Sequence, residues 1–231
     1  MRITTVGLDA DDTLWHNESL FRLTQERFRA LLADWAAPDV LDARLAEVER
    51  RNLALYGYGV KGFTLSMIET AMELTGHQAS GRLVAELLAA GREMLAYPVE
   101  PLPGVESTLA RLAERRRLVL ISKGDLLHQE QKLAASGLGE LFAAVEIVSE
   151  KDAATYDRVF ARHGAGAARA VMCGNSMRSD ILPALQAGAY AAYVPYPLVW
   201  AHELAEAPDG HPRFAELASI AALPEWIAGL D

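Results

Sequence analysis

The sequence predicts an α/β protein, a parallel sheet with helices on both faces, interrupted near its start by an all-helical insertion. Three observations point there. An apolar run at residues 3–8 ends directly in acid, Asp9-Ala10-Asp11-Asp12; from about residue 98 short apolar runs alternate with helix-patterned segments; and between these stretches the apolar spacing is helical. Alternation of strand and helix implies parallel pairing, since each crossover helix returns the chain to the same side of the sheet.

Residues 3–8, Ile-Thr-Thr-Val-Gly-Leu, have the length and apolar content of a buried strand. After Leu14 the pattern turns helical. Asn17 or Ser19 is placed to cap a helix running toward Trp35, with Leu20, Phe21, Leu23, Phe28, Leu31 and Leu32 as its apolar positions. Pro38 marks a break, and a second helix over residues 40–55 stops at the Gly57-Tyr58-Gly59 turn. A third helix covers 64–74 with Leu65, Ile68 and Met72 as one stripe, and a fourth covers 80–95 with Leu83, Leu87, Met94 and Leu95 near one face. These stripes are read as helix-to-helix core.

The proline-rich segment 97–104 returns the chain to the alternating pattern. Helices are expected near 105–115, 126–135, 154–163 and 181–187, and strands at 118–121, 145–148, 170–173 and 190–194. A last helix is expected at 220–230, interrupted early by Pro224. The core is therefore assigned to residues 1–14 and 98–231, and the helical insertion to 15–97.

The chain of 231 residues accommodates a large core with a smaller insert. Its 51% hydrophobic and 23% charged residues are those of an ordinary soluble globular protein. The net charge of -9, with Arg115-Arg116-Arg117 as the densest basic run, argues against a nucleic-acid partner. Cys173 is the sole cysteine and lies in an apolar run, so a buried core thiol is expected, compatible with a reducing cytosol. The first strand begins within a few residues of the start and no apolar run reaches membrane-spanning length, so a cytoplasmic location without membrane contact is expected.

Three further strands end in small polar or charged residues: Ser122-Lys123-Gly124-Asp125, Ser149-Glu150-Lys151-Asp152, and Gly174-Asn175-Ser176-Met177-Arg178-Ser179-Asp180. Parallel strands present such ends along one edge, where open α/β sheets bind ligands. That edge would gather Asp9, Asp11, Ser122, Lys151, Asn175 and Asp180, a set containing a nucleophile, a hydroxyl donor, a cation and hard oxygen ligands suited to Mg2+. Two neighbouring carboxyls can divide labour, one attacking as an ion and the other trading protons.

These four segments, in this order, resemble the haloacid dehalogenase-like (HAD) hydrolase superfamily. Asp9-Ala10-Asp11-Asp12-Thr13 is similar to its Asp-x-Asp-x-Thr signature, Ser122 to its strand-end hydroxyl, Lys151 to its lysine, and the 174–180 loop to its Gly-Asp-x-x-x-x-Asp motif. The resemblance implies a Rossmann-like core with a helical cap of the C1 type. It implies that Asp9 attacks phosphorus to form an aspartyl-phosphate and that Asp11 protonates the leaving alcohol and later activates water. Ser122 would bond a phosphoryl oxygen, Lys151 would balance the charge, and Mg2+ would be held by the Asp9 carboxylate, the Asp11 main-chain carbonyl and the last motif, Asn175 and Asp180. Thr13 would orient the loop.

Two departures stand out. Asn175 replaces the usual Asp, removing a charge from the metal site, and the Lys-Pro pair common after the third strand is absent. Lys123 is a second candidate for touching phosphate. Asp12 is read as a helix N-terminal acid, Arg178 equally as a phosphate ligand or a solvated loop residue, and His202 as a packed loop residue. Trp15 and His16 are better placed to meet substrate, with bracing of the cap hinge as the alternative for Trp15 and with Tyr56, Tyr58 and Lys61 as further cap candidates. The expected function is Mg2+-dependent hydrolysis of a small phosphorylated metabolite. The alternatives are a phosphomutase, a 2-haloacid dehalogenase, against which Asp11 argues, and a non-catalytic binding protein on the same fold. The oligomeric state is not legible.

Overall fold

The computed structural model describes residues 2–231. The chain forms two compact units: Met1–Glu18, Val99–Lys123 and Gln129–Asp231 make one, and Ser19–Pro98 with Gly124–His128 the other.

The first unit is an α/β sandwich of layers. Among the described residues its sheet has six strands, β1 (Thr5–Leu8), β2 (Arg117–Lys123), β3 (Ala144–Val148), β4 (Ala170–Gly174), β5 (Tyr190–Tyr193) and β6 (Phe214–Glu216), in the order β3-β2-β1-β4-β5-β6. Every pairing is parallel. The strands are short because both faces are covered and each needs only to cross the core. Alternate residues go to opposite faces. Val6, Leu8, Leu118, Leu120, Val171 and Cys173 pack with helix α5 (Val105–Ala113) and helix α9 (Leu223–Ala228), whereas Val119, Ile121 and Met172 pack with helix α7 (Ala153–His163).

Leu8 is in register with Leu120 on one side and Cys173 on the other, so β1 and β4 end within a residue of each other while β2 runs three residues further, to Lys123. The chain grows outward from β1 through β2 to β3, then returns to β4 and grows the other way. The resulting switch point between β1 and β4 is where such sheets place ligands.

The α/β fold is the one expected, with local differences. Strand β6 is not anticipated, because three half-buried residues leave no readable alternation. Pro224 does not interrupt the last helix; it sits in the first turn of α9, where a missing N–H costs nothing. The helix expected at 181–187 is a π turn, Met177–Ile181, running into the short α8 (Leu182–Gln186).

In the second unit, α1 (Glu18–Leu31), α2 (Pro38–Tyr56), α3 (Val60–Leu74) and α4 (Gly81–Leu95) pack around Phe28, Leu32, Leu41, Leu45, Phe63, Met67 and Leu87. Helix α1 stops at Leu31, well short of Trp35. Pro38 opens α2, since its fixed φ suits a first helical position. Helix α3 starts four residues earlier than expected, directly after Gly59, whose φ of 109° only glycine readily adopts. Its buried face is Phe63, Met67 and Ala71, and the expected stripe member Leu65 is 42% exposed. Ser80 caps α4 by accepting from the Leu83 N–H at 3.1 Å.

Candidate active site

Asp9 follows β1 without a spacer, and its N–H donates to the Cys173 carbonyl at 2.9 Å, so the sheet ladder holds its backbone. The residue is 7% exposed. Lys151 Nζ donates to Asp9 Oδ1 at 2.5 Å and to Asp180 Oδ1 at 2.7 Å, while Thr13 Oγ1 donates to Asp9 Oδ2 at 3.0 Å. The loop carrying Lys151 is fixed where Asp152 caps α7, accepting from the Thr155 N–H at 2.7 Å. Burial, and then the Asp180 charge, raise the Asp9 carboxyl to about 7 against the pull of Lys151. Burial alone would lower the Lys151 ammonium, but Asp180 and Asp9 outweigh it and hold it above the usual lysine range. Lys151 is therefore held as a cation beside Asp9.

Asp11 lies past the strand, in a turn closed by the Asp12 N–H donating to the Trp15 carbonyl at 2.7 Å. Its Oδ1 accepts from Trp15 Nε1 at 2.8 Å and Lys132 Nζ at 2.5 Å, and its Oδ2 from Gln129 Nε2 at 3.0 Å. Burial alone would raise this carboxyl, but Lys132, Trp15 and Gln129 outweigh it and keep it below the usual aspartate value. The two carboxyls are thus driven apart in opposite directions. Ser122 Oγ accepts from Gln129 Nε2 at 2.7 Å, and its own proton is spent only on a long 3.3 Å bond to the Lys123 carbonyl. That hydroxyl is ready to donate to an incoming anionic oxygen.

The Mg2+ ligands implied by the sequence resemblance converge only in part. One arm of the Asn175 amide lies 3.1 Å from each of Asp9 Oδ2, the Asp11 main-chain oxygen and Thr13 Oγ1. Adjacent ligands of an octahedral Mg2+, with bonds of about 2.1 Å, stand about 3 Å apart. With its Oδ1 on that arm, Asn175 would join Asp9 and Asp11 at the spacing a hard cation takes, and in this sense the residues fit the ion. The set is lean: one carboxylate, one main-chain carbonyl and one amide, and among the described residues no three His, Cys, Asp or Glu side chains are grouped to hold a metal. Asp180 is placed elsewhere. Its Oδ1 serves Lys151 and its Oδ2 accepts from the Ser176 N–H at 3.0 Å, so it supports the lysine.

Lys123 and Lys151 have separate positions. Lys123 Nζ donates to Ser179 Oγ at 2.8 Å and Glu203 Oε1 at 2.9 Å, and lies 3.3 Å from Glu150 Oε1. Glu203 also accepts from the hydroxyls of Ser176 and Ser179, tying the 201–203 turn to the 174–180 loop. Arg178 bonds the His202 carbonyl at 3.0 Å, which accounts for it as a loop tie. Asp12 accepts from the N–H groups of Asn17 at 2.8 Å and Glu18 at 3.0 Å, and so serves the start of α1 in place of Asn17 or Ser19.

Trp15, read as facing substrate or as a brace, is 1% exposed and braces Asp11. His16 Nδ1 lies 2.5 Å from the Tyr196 hydroxyl. Within the helical unit, Tyr56 donates to Glu69 at 2.7 Å and Lys61 to Asp125 at 2.8 Å. Cys173 is a buried core thiol whose pKa burial pushes up. Sequence reasoning missed Gln129, Lys132, Tyr156 and Glu203. Gln129 and Lys132 lie three apart on α6 (Leu126–Ser136), the spacing of one helix face, and that spacing after a strand-end serine was the available signal. Tyr156 donates to the Ser179 carbonyl at 2.9 Å from one turn into α7.

Residues 3–188 match the family model described as haloacid dehalogenase-like hydrolase. The chain belongs to that family. It is similar to a haloacid dehalogenase-like family hydrolase from Xanthomonas campestris, with 42% identity and a TM-score of 0.89 over 99% of this chain and 92% of that one. It shares its fold with YfnB from Bacillus subtilis, a structure described as bound to magnesium (16% identity, TM-score 0.66, 98% of this chain and 99% of that one). It also shares it with a 2-haloacid dehalogenase from Pseudomonas syringae pv. tomato (23% identity, TM-score 0.66, 99% and 100%). No curated protein matches the chain. Among the described residues no helix is long and apolar enough to cross a membrane.

Proposed function

We propose that this HAD-family hydrolase cleaves phosphomonoesters of small metabolites through an aspartyl-phosphate on Asp9. The observation that carries this reading is the second carboxylate, Asp11, which three donors hold in position two residues beyond the nucleophile. Displacement at carbon needs no second acid there, whereas hydrolysis of a phosphate ester needs a group that gives a proton to the alcohol and takes one from water.

Asp9 attacks phosphorus, and the ester oxygen departs with a proton that Asp11, itself a carboxylate in the free protein, relays from the singly protonated phosphate ester. Asp11, again a carboxylate, then removes a proton from the water that opens the aspartyl-phosphate. Ser122 donates to a phosphoryl oxygen, and Lys151 offsets the charge that gathers on Asp9 and the phosphoryl group. Asp180 and Tyr156 hold Lys151 and its loop in place. Mg2+, held by Asp9, the Asp11 carbonyl and Asn175, would lower the repulsion between an anionic nucleophile and an anionic substrate. Selection of the substrate is assigned to the helical insertion.

A second reading, dehalogenation of a 2-haloacid, is favoured by one observation: Asn175 supplies no charge for a metal, and Lys151 already neutralises Asp9. One assay separates the two. Phosphate release from a panel of phosphorylated metabolites, and halide release from 2-haloacids, are measured with Mg2+ and with chelator, for wild type beside Asp9→Asn. Metal-dependent phosphate release that Asp9→Asn abolishes is expected. Halide release that survives chelator would replace the phosphatase reading with the dehalogenase one.

A further inference from the structure

The Asn175 amide has two orientations of nearly equal shape and opposite polarity. With Oδ1 toward the nucleophile loop, it faces a carboxylate oxygen and a carbonyl oxygen, and only the Thr13 hydroxyl, at 3.1 Å, can donate to it. Thr13 has one proton, and Asp9 Oδ2 claims it at 3.0 Å. With Nδ2 inward, the amide protons are shared among Asp9 Oδ2, the Asp11 carbonyl and Thr13 Oγ1, each at 3.1 Å, and the Thr13 proton stays on Asp9. Every donor then meets an acceptor. In ion-free protein the second arrangement is the only one without opposed lone pairs.

We propose that the Asn175 side-chain amide is a built-in stand-in for the metal ion: its NH2 group holds the oxygens of Asp9, Asp11 and Thr13 together in ion-free protein, and a divalent cation can enter only when the amide turns over. An Asp at this position could do neither, because a carboxylate facing Asp9 Oδ2 and the Asp11 carbonyl would demand a cation to keep the loop together. The ion-free site is therefore formed, and Mg2+ must displace hydrogen bonds before it gains ligands. The inference concerns the same site as the phosphatase reading and rests on it only for the identity of the ion.

The test is calorimetric titration of the full-length protein with MgCl2 in the absence of substrate, paired with thermal melts in chelator, for wild type and Asn175→Asp. The variant is expected to bind Mg2+ at least about tenfold more tightly, as an added ligand charge does, and its ion-free form to melt below wild type. Equal or tighter Mg2+ binding by wild type, or an ion-free Asn175→Asp that melts no lower, would overturn the inference. Should Asn175→Asp not fold, wild type alone decides by NMR. Its Asn175 side-chain NH2 resonances, assigned by their loss in Asn175→Ser, should exchange slowly with water in chelator; fast exchange there would refute the stand-in. A wild type that binds no Mg2+ at all would likewise overturn the inference, because no cation would then displace the amide.

Discussion

Lys132 Nζ lies 2.5 Å from Asp11 Oδ1, so the second carboxylate of the site is ion-paired from helix α6 and not from any strand-end loop. Only 8% of Lys132 is exposed, and Asn17 Oδ1, 3.3 Å away, is its other acceptor. The pair does two things at once. It fixes where Asp11 points, and it keeps that group ionised to lower pH than an ordinary aspartate.

Lys132→Met should therefore lower turnover at least about tenfold with little change in KM, and cost about 2 kcal/mol of stability, the scale of a lost charge-assisted hydrogen bond. The pH profile carries the sharper sign. A water-activating Asp11 loses function as pH falls through its pKa, and Lys132 depresses that pKa, so its removal should move the acid limb of kcat to higher pH. Lys132→Arg should restore the limb. An acid limb unmoved by Lys132→Met would show that Asp11 ionisation does not control turnover.

Glu203 gives a second pH dependence, in stability. Burial alone would raise its carboxyl, but Lys123 and the hydroxyls of Ser176 and Ser179 outweigh it and hold it below the ordinary value of 4.5. A depressed folded-state pKa stabilises fully above the unfolded value, and that stabilisation is lost as pH falls through the folded one. Glu203→Gln should thus melt below wild type at pH 7, and the gap should close as both are acidified below about 4.5. Parallel melting curves with a constant gap across that range would mean that packing, and not charge, is what Glu203 contributes.

What the sequence disclosed, and what it hid, follows from range. Asp9, Ser122, Lys151 and Asn175 each follow an apolar run that reads as a strand, although Ser122 itself lies inside β2, so the α/β fold and its strand-end cluster were legible. The partners of those residues were not. Gln129 and Lys132 occupy a helix face that reads as solvated, and only the fold turns that face toward Asp11. Glu203 lies over twenty residues beyond the loop it ties, in a turn of three residues without periodicity. Leu65 was misread for a related reason: on α3 the stripes at 65, 68, 72 and at 63, 67, 71 are both apolar, and only packing chooses between them.

Gly91 tests that packing within the helical unit. A methyl group at this position of α4 would sit 2.2 Å from Thr64 Oγ1 on α3, and that hydroxyl is already committed to the Val60 carbonyl at 2.7 Å. Gly91→Ala should cost about 1–3 kcal/mol through overpacking, although alanine is the better helix former. Pairing it with Thr64→Ser removes a methyl but leaves the hydroxyl clash, so rescue should require Thr64→Ala. A Gly91→Ala protein as stable as wild type by denaturant melt would show that the two helices separate at no cost.

Gly174, the last residue of β4, is where backbone and chemistry meet most tightly. A Cβ there would lie 2.2 Å from Asp180 Oδ2 and 2.4 Å from its Cγ, with strand pairing to β1 and β5 restraining the backbone. Asp180 must then leave the Ser176 N–H and Lys151, and Lys151 loses the one carboxylate besides Asp9 that anchors it. Gly174→Ala should destabilise the fold by about 1–3 kcal/mol of overpacking, and should reduce turnover far beyond the unfolded fraction. Adding Asp180→Ala separates the two effects: with the carboxylate gone only the Cβ at 2.8 Å still presses on the new methyl, so most of the clash should be relieved relative to adding the single costs. Turnover should stay low, because Lys151 still lacks its second anchor. Recovery of turnover in the double variant would show that Asp180 only occupies space beside Gly174 and does not position the lysine.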